Sequence, residues 1–354
     1  MNTEPDPMAG AEAIAATLLA LSPAYAPTPL RDLPRLAAAL GVGQVLAKDE
    51  GQRMLGSFKS LGGTYAGLRA LARRAGLDVA TLVARRPGGL PALVCASDGN
   101  HGLAVAVAAR MAGGPARIFL HASVADARAR RIAAEGAEIV WVAGTYDDAV
   151  DQAAAAARAG GGILVADTTD APADPVVADV MAGYGVIAAE IRRQLGDAAP
   201  PTHLFVQAGV GGLAAAMAEG LAGWLAAPGL IVAVEPAQAA CVAAALAAGR
   251  AVRLAGELET AAGMLSCGEA SAPALAVLRR HGARAVTVAE AGLEAAPGLL
   301  RAEGGPASTP SGAASLAGLV AALANAGLRD ALRLGPASRV LLPITEAALE
   351  DAAP

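Results

Sequence analysis

Aromatic residues are scarce: Phe, Trp and Tyr together make up 3% of the 354 residues. So few flat side chains leave little to stack on bases. With a net charge of −5 and no basic block, the composition argues against nucleic-acid binding. Cysteine is nearly as rare. Cys95, Cys241 and Cys267 form no close pair, and no His, Cys, Asp or Glu cluster has metal-ligand spacing. A disulfide or metal scaffold is therefore not expected, and a reduced, cytoplasmic setting is. Of the four histidines only His101 lies in a motif. Long hydrophobic runs are also missing. Mean hydropathy is +0.47, but much of it is alanine, and uncharged stretches such as 311–328 are interrupted by Gly, Ser and Asn. They read as buried helices rather than membrane spans. The start carries Glu4 and Asp6 and no basic residue before the apolar 13–21 segment, so no secretory signal is expected.

What is present is alternation. Short apolar runs at 44–48, 92–96, 116–120, 138–142, 162–166, 202–207, 230–235, 285–288 and 339–343 follow turns. Helix-length stretches rich in alanine and arginine separate them, and the alanine runs at 153–157 and 243–248 are helix formers. The pattern predicts an α/β fold with parallel sheets covered by helices on both faces. A chain of this length is long for one domain, so two lobes are expected. The Arg-Arg-Pro-Gly-Gly stretch at 85–89 and the segment 170–175 mark the crossings between them. No internal repeat is found.

Three local patterns carry chemistry. In Ser57-Phe58-Lys59-Ser60-Leu61-Gly62-Gly63 a lysine sits between a phenylalanine and small residues. Partial burial there would lower its pKa and favour the free amine that forms an imine with an aldehyde cofactor. Residues 204–213 read as a short apolar strand, a glycine turn with Gly209, Gly211 and Gly212, and a helix start. Convergent N–H groups and a helix N-terminus suit a phosphate. The alternatives are a plain tight turn or a dinucleotide fingerprint, for which Glu235 would be the acidic residue. The third is Cys95-Ala96-Ser97-Asp98-Gly99-Asn100-His101-Gly102, between an apolar strand and an apolar helix. Its hydroxyl, amide and N–H groups suit a substrate carboxylate and a phenolic oxygen on a cofactor ring. Capping would explain Ser97 or Asp98, but not the adjoining Gly-Asn-His-Gly.

These marks, with Thr28-Pro29-Leu30, Lys48-Asp49-Glu50, Tyr146-Asp147-Asp148-Ala149-Val150, Asp167-Thr168, Gly183-Tyr184, Leu265-Ser266-Cys267-Gly268 and Thr345-Glu346, span most of the chain in one order. In them the chain resembles the fold-type II pyridoxal-phosphate enzymes, which include threonine dehydratase, serine racemase and tryptophan synthase β. Within that group it is most similar to the diaminopropionate ammonia-lyase branch. The resemblance implies a two-lobed, tryptophan-synthase-β-like fold, with residues 88–168 as the small lobe, 1–87 and 169–354 as the large lobe, and pyridoxal 5′-phosphate in the cleft. A homodimer acting on a small amino acid, with no metal and no membrane partner, is expected.

By the same resemblance Lys59 would hold the cofactor and act as Cα base. Phe58, Asn100, Gly209, Val210, Gly211, Gly212, Leu213 and Thr345 would bind the cofactor, with Thr345 facing the pyridine nitrogen. Ser97, Asp98 and His101 would bind substrate. Asp98 and Asp167 would line its pocket, holding a β-ammonium or serving as a base opposite Lys59. A charge pair about 4 Å apart is worth on the order of 4 kcal/mol at an effective dielectric of 20, so an aspartate there favours diaminopropionate over hydroxyaspartate. The expected reaction is β-elimination of 2,3-diaminopropionate to pyruvate and ammonia. A serine, threonine or hydroxyaspartate dehydratase and a cofactor-binding protein with little or no lyase activity are the alternatives. Two departures bear on the substrate: the segment 53–58 is short for the branch, and Thr309-Pro310-Ser311-Gly312-Ala313 is closer to dehydratases.

Overall fold

Among the described residues, ten strands form two sheets. The computed structural model describes residues 7–348 apart from 98, 123, 125, 145 and 257. The larger sheet contains β1 (Leu30–Asp32), β2 (Gln44–Asp49), β7 (His203–Gln207), β8 (Leu230–Pro236), β9 (Arg284–Val288) and β10 (Arg339–Ile344), in the order β1-β2-β10-β7-β8-β9. The smaller contains β3 (Ala92–Ala96), β4 (Ala116–His121), β5 (Glu138–Val142) and β6 (Gly162–Leu164), in the order β5-β4-β3-β6. Every pairing is parallel except β1 with β2.

All nine expected strands are present within a residue or two. Each central strand of the larger sheet is buried along nearly its whole length, as two helix-covered faces require. β1 was not expected. A three-residue strand is too short to show a period, and its antiparallel pairing at the sheet edge is a tertiary event.

One helix joins the two halves. Lys59–Ala75 is closed by Gly76 in the left-handed region (φ 66°) and lies between Asn100–Ala112 on one side and Pro175–Leu195 on the other. The helices approach too closely for side chains at the contacts. A Cβ on Gly63 would lie 2.7 Å from Ala104 Cβ, and one on Gly62 would lie 2.6 Å from Val180 O. The Gly62-Gly63 pair therefore fixes where Lys59, three residues earlier, emerges. Asp174 starts the third helix, accepting the Val176 and Val177 N–H groups at 2.8 and 3.0 Å ahead of Pro175 at its first position. Among the described residues no helix is long and apolar enough to cross a membrane.

Candidate active site

Lys59 is the first residue of its helix, and its side chain points to the end of the smaller sheet. Its Nζ lies 2.5 Å from Oδ2 of Asp167, which follows β6. The two side chains are 23% and 22% exposed, open enough to be reached. The pairing corrects one expectation. Burial alone would pull the Lys59 ammonium down, but the Asp167 carboxylate outweighs it and holds the pKa above the ordinary lysine value. Burial likewise favours neutral Asp167, yet the Lys59 charge and its hydrogen bond keep it well below the usual carboxylate range. Two rings flank the amine. Nζ is 5.4 Å from the Phe58 centroid and 5.8 Å from that of Tyr184, and the rings lie 4.8 Å apart at 56°.

The glycine turn follows β7 and opens Gly212–Leu221. Gly211 has φ 94°, which a side chain would strain. Val210 O accepts the Ser271 N–H at 2.9 Å, pinning the turn. A Cβ on Gly209 would come within 3.0 Å of Cys267 Sγ, and one on Gly99 within 2.9 Å of Met264 Sδ, so residues 263–267 lie against both loops. The Leu213 side chain is in the core and leaves only its backbone for a ligand. A bare turn, a left-handed glycine and the free first N–H groups of a helix fit a phosphate. Glu235 does something else. Its oxygens accept the Val242 and Ala243 N–H groups, each at 2.7 Å, so it caps the next helix rather than meeting a ribose. Burial pushes its carboxyl up to about 7 in spite of those bonds.

Thr345 is buried at the end of β10, where its Oγ1 accepts from Gln207 Nε2 at 2.9 Å. The same amide donates to Gly312 O at 2.8 Å, which ties the strand end to the glycine turn. Asn100 Nδ2 donates to Glu346 Oε2 at 2.6 Å, and Glu346 Oε1 accepts from Thr309 Oγ1 at 2.5 Å. Burial raises the Glu346 pKa, opposed by these two bonds. Ser97 Oγ accepts the Gly99 N–H at 3.4 Å. His101 is buried, with Nε2 2.9 Å from Val165 O, two residues before Asp167. Burial lowers its pKa, so the ring is neutral and steadies the loop that carries Asp167. Asp98 lies outside the described residues.

Lys59, Phe58, Asp167 and the glycine turn thus come together around the Tyr184 ring, while Asn100 is held by Glu346 and Thr345 by Gln207. Gln207, Glu346 and Tyr184 were given no individual role from the sequence. Gln207 adjoins the glycine turn, and Glu346 and Tyr184 stood among the marks of the resemblance, which was the available signal.

Over residues 21–346 the chain matches the family described as pyridoxal-phosphate dependent enzyme. It is 33% identical over 266 residues to diaminopropionate ammonia-lyase of Escherichia coli strain K12, covering 72% of this chain and 66% of that protein. The match spans just under two thirds of that relative's length. It is 30% identical over 246 residues to a serine dehydratase-like protein of Rattus norvegicus, covering 69% and 66%. Among solved structures, the holo form of diaminopropionate ammonia lyase from Escherichia coli superposes with a TM-score of 0.87 at 29% identity, covering 98% of this chain and 91% of that one.

Proposed function

This chain belongs to the family of pyridoxal-phosphate-dependent enzymes, and from that premise we propose that it is a β-elimination ammonia-lyase converting 2,3-diaminopropionate to pyruvate and ammonia. One observation carries the reading: a reachable lysine amine paired at 2.5 Å with a carboxylate, beside a glycine turn built for a phosphate. When bound, pyridoxal phosphate supplies an electron-accepting ring that stabilises negative charge at the substrate Cα. The N–H groups of 209–213 would hold its phosphate, and Asn100, Phe58 and Thr345 its ring. Because Thr345 Oγ1 already accepts from Gln207, its own hydrogen is free to be donated to the pyridine nitrogen. A neutral donor there does not enforce ring protonation, which favours prompt loss of the β-substituent.

Lys59 Nζ takes the Cα proton and returns it to the departing β-amine. The unsaturated amino acid that remains takes up water to give pyruvate and a second ammonia. Asp167 orients the Lys59 amine and stabilises its protonated form. Because Asp167 contacts Lys59 directly, Asp98 is our assignment for the base that would take the opposite Cα hydrogen. The Asp98 carboxylate would also attract the β-ammonium that distinguishes diaminopropionate from serine or threonine.

The test is formation of 2-oxo acid from D- and L-diaminopropionate, serine, threonine and hydroxyaspartate. Diaminopropionate should give the highest kcat/KM. Faster turnover of a hydroxyamino acid would replace this reading with a dehydratase, which the rat relative and the Thr309-Pro-Ser-Gly-Ala segment favour. Asp98→Asn should slow one isomer by about 10²–10⁴-fold and spare the other, as loss of a general base does. Equal, modest rises in KM for both isomers would leave Asp98 as an ammonium holder only.

A further inference from the structure

Tyr184 is 2% exposed, yet its hydroxyl has no hydrogen-bond partner among the described residues. A polar group buried in this way is destabilising unless something supplies a partner, and native structures leave few such groups unpaired. The surroundings define the chemistry of the partner. The helix Pro175–Leu195 delivers the ring into the gap between the first turns of two other helices. A Cβ on Gly62, in the first turn of Lys59–Ala75, would overlap Tyr184 Cε1. A Cβ on Gly212, the first residue of Gly212–Leu221, would lie 3.8 Å from Tyr184 Cε2. These two ring carbons flank the one that bears the hydroxyl.

The oxygen therefore sits between two helix N-termini, each with a partial positive charge. Lys59 Nζ, paired with Asp167, lies 5.8 Å from the ring centroid. Two helix N-termini around an unpaired hydroxyl are a setting for an anion. Burial pushes the phenol up to about 12 against the pull of the Lys59 charge, so it remains a donor at neutral pH.

We propose that Tyr184 is a phosphate ligand, its hydroxyl donating a side-chain hydrogen bond to the cofactor monophosphate held by the backbone of 209–213. This rests on the placement of pyridoxal phosphate in this cleft and not on the choice of substrate. It also separates two roles of one side chain: the ring is a packing surface for Gly62 and Phe58, and the oxygen serves the ligand.

Tyr184→Phe removes the oxygen and keeps the ring. The cofactor-free full-length protein and this variant would each be titrated with pyridoxal phosphate and with pyridoxal, which lacks the phosphate, by visible absorbance. Affinity for pyridoxal phosphate should fall about tenfold or more, the usual effect of losing a hydrogen bond to a charged group, and affinity for pyridoxal should not change. The Tm of the cofactor-free variant should equal or exceed that of the parent, because an unpaired buried oxygen has been removed. Equal pyridoxal phosphate affinity in the two proteins would overturn the proposal. So would an equal loss for both ligands, or a lower Tm with unchanged affinity, which is the signature of a hydroxyl paired with structural water. Failure of the unmutated protein to bind pyridoxal phosphate would instead overturn the cofactor placement itself.

Discussion

The chain has two lysines, Lys48 and Lys59, and the regions around them use the same charges to opposite ends. Lys48 is fully buried on β2 and spends all three ammonium hydrogens, on Glu190 Oε2 at 2.5 Å, Thr28 O at 2.7 Å and Gln194 Oε1 at 3.1 Å. Glu190 also takes two bonds from Arg53 at 2.7 and 2.8 Å, and Arg53 holds Glu50 through two more at 2.9 Å. Thr28 Oγ1 donates to Glu50 at 2.6 Å. Two cations and two anions cancel inside the protein, with nothing left to react. Lys59 has one hydrogen-bond acceptor among the described residues, two ring faces and an open side. A saturated lysine fastens β2 to the helix Pro175–Leu195, whereas an unsaturated one is held ready by that same scaffold.

The sharpest way to break this contrast is to remove each amine in turn. Lys59→Ala should abolish turnover and the visible band of lysine-bound cofactor while shifting Tm less than a break in the Lys48 network does, since Asp167, left without its partner, is 22% exposed. Absorbance and thermal melting read both, and normal turnover would remove the central claim. Lys48→Met should do the reverse. It strands Glu190 beside Arg53 only, and breaking a buried pair typically costs about 3–5 kcal/mol. A urea titration should show that loss, while the folded fraction still forms the visible band. Loss of the band in fully folded Lys48→Met would mean that the buried network reaches the chemistry directly.

Asp167→Asn sharpens the electrostatic side. With its carboxylate gone, burial acts unopposed and the Lys59 pKa falls. Capture of the cofactor needs the free amine, so its pH profile should move to lower pH. An unmoved or raised midpoint would show that Asp167 does not set the Lys59 charge. The stability sign runs the same way. The raised Lys59 pKa contributes stability that is present below the ordinary lysine value and lost as pH climbs through the folded one. The depressed Asp167 pKa contributes stability present above the ordinary carboxylate value and lost as pH falls through the folded one. Asp167→Asn should flatten both limbs of the stability–pH curve. The smallest effect belongs to Gly211→Val, whose φ of 94° imposes about 1–3 kcal/mol of strain on a side chain. Cofactor retention on dialysis should weaken about tenfold with little change in kcat, and unchanged retention would count against the cradle.

Sequence alone determined what depends on near neighbours. Nine strands were legible because a buried parallel strand is a short apolar run between turns, and the glycine turn because a strand, a bare loop and a helix start are consecutive in the chain. Lys59 could be singled out by its small neighbours, and with only two lysines present the choice was narrow. The rest needed the fold. Lys59 meets Asp167 across 108 residues, and Asn100 meets Glu346 across 246. The sign of the Lys59 shift followed from the first of these pairings, since there the carboxylate outweighs burial, whereas at Lys48 burial lowers the pKa in spite of Glu50 and Glu190. That Lys48 is saturated was likewise decided through space, by Glu190, 142 residues away. Local sterics and hydrophobic period act over a few residues and leave a trace in the sequence, but charge compensation acts through space and is decided only when the helices pack.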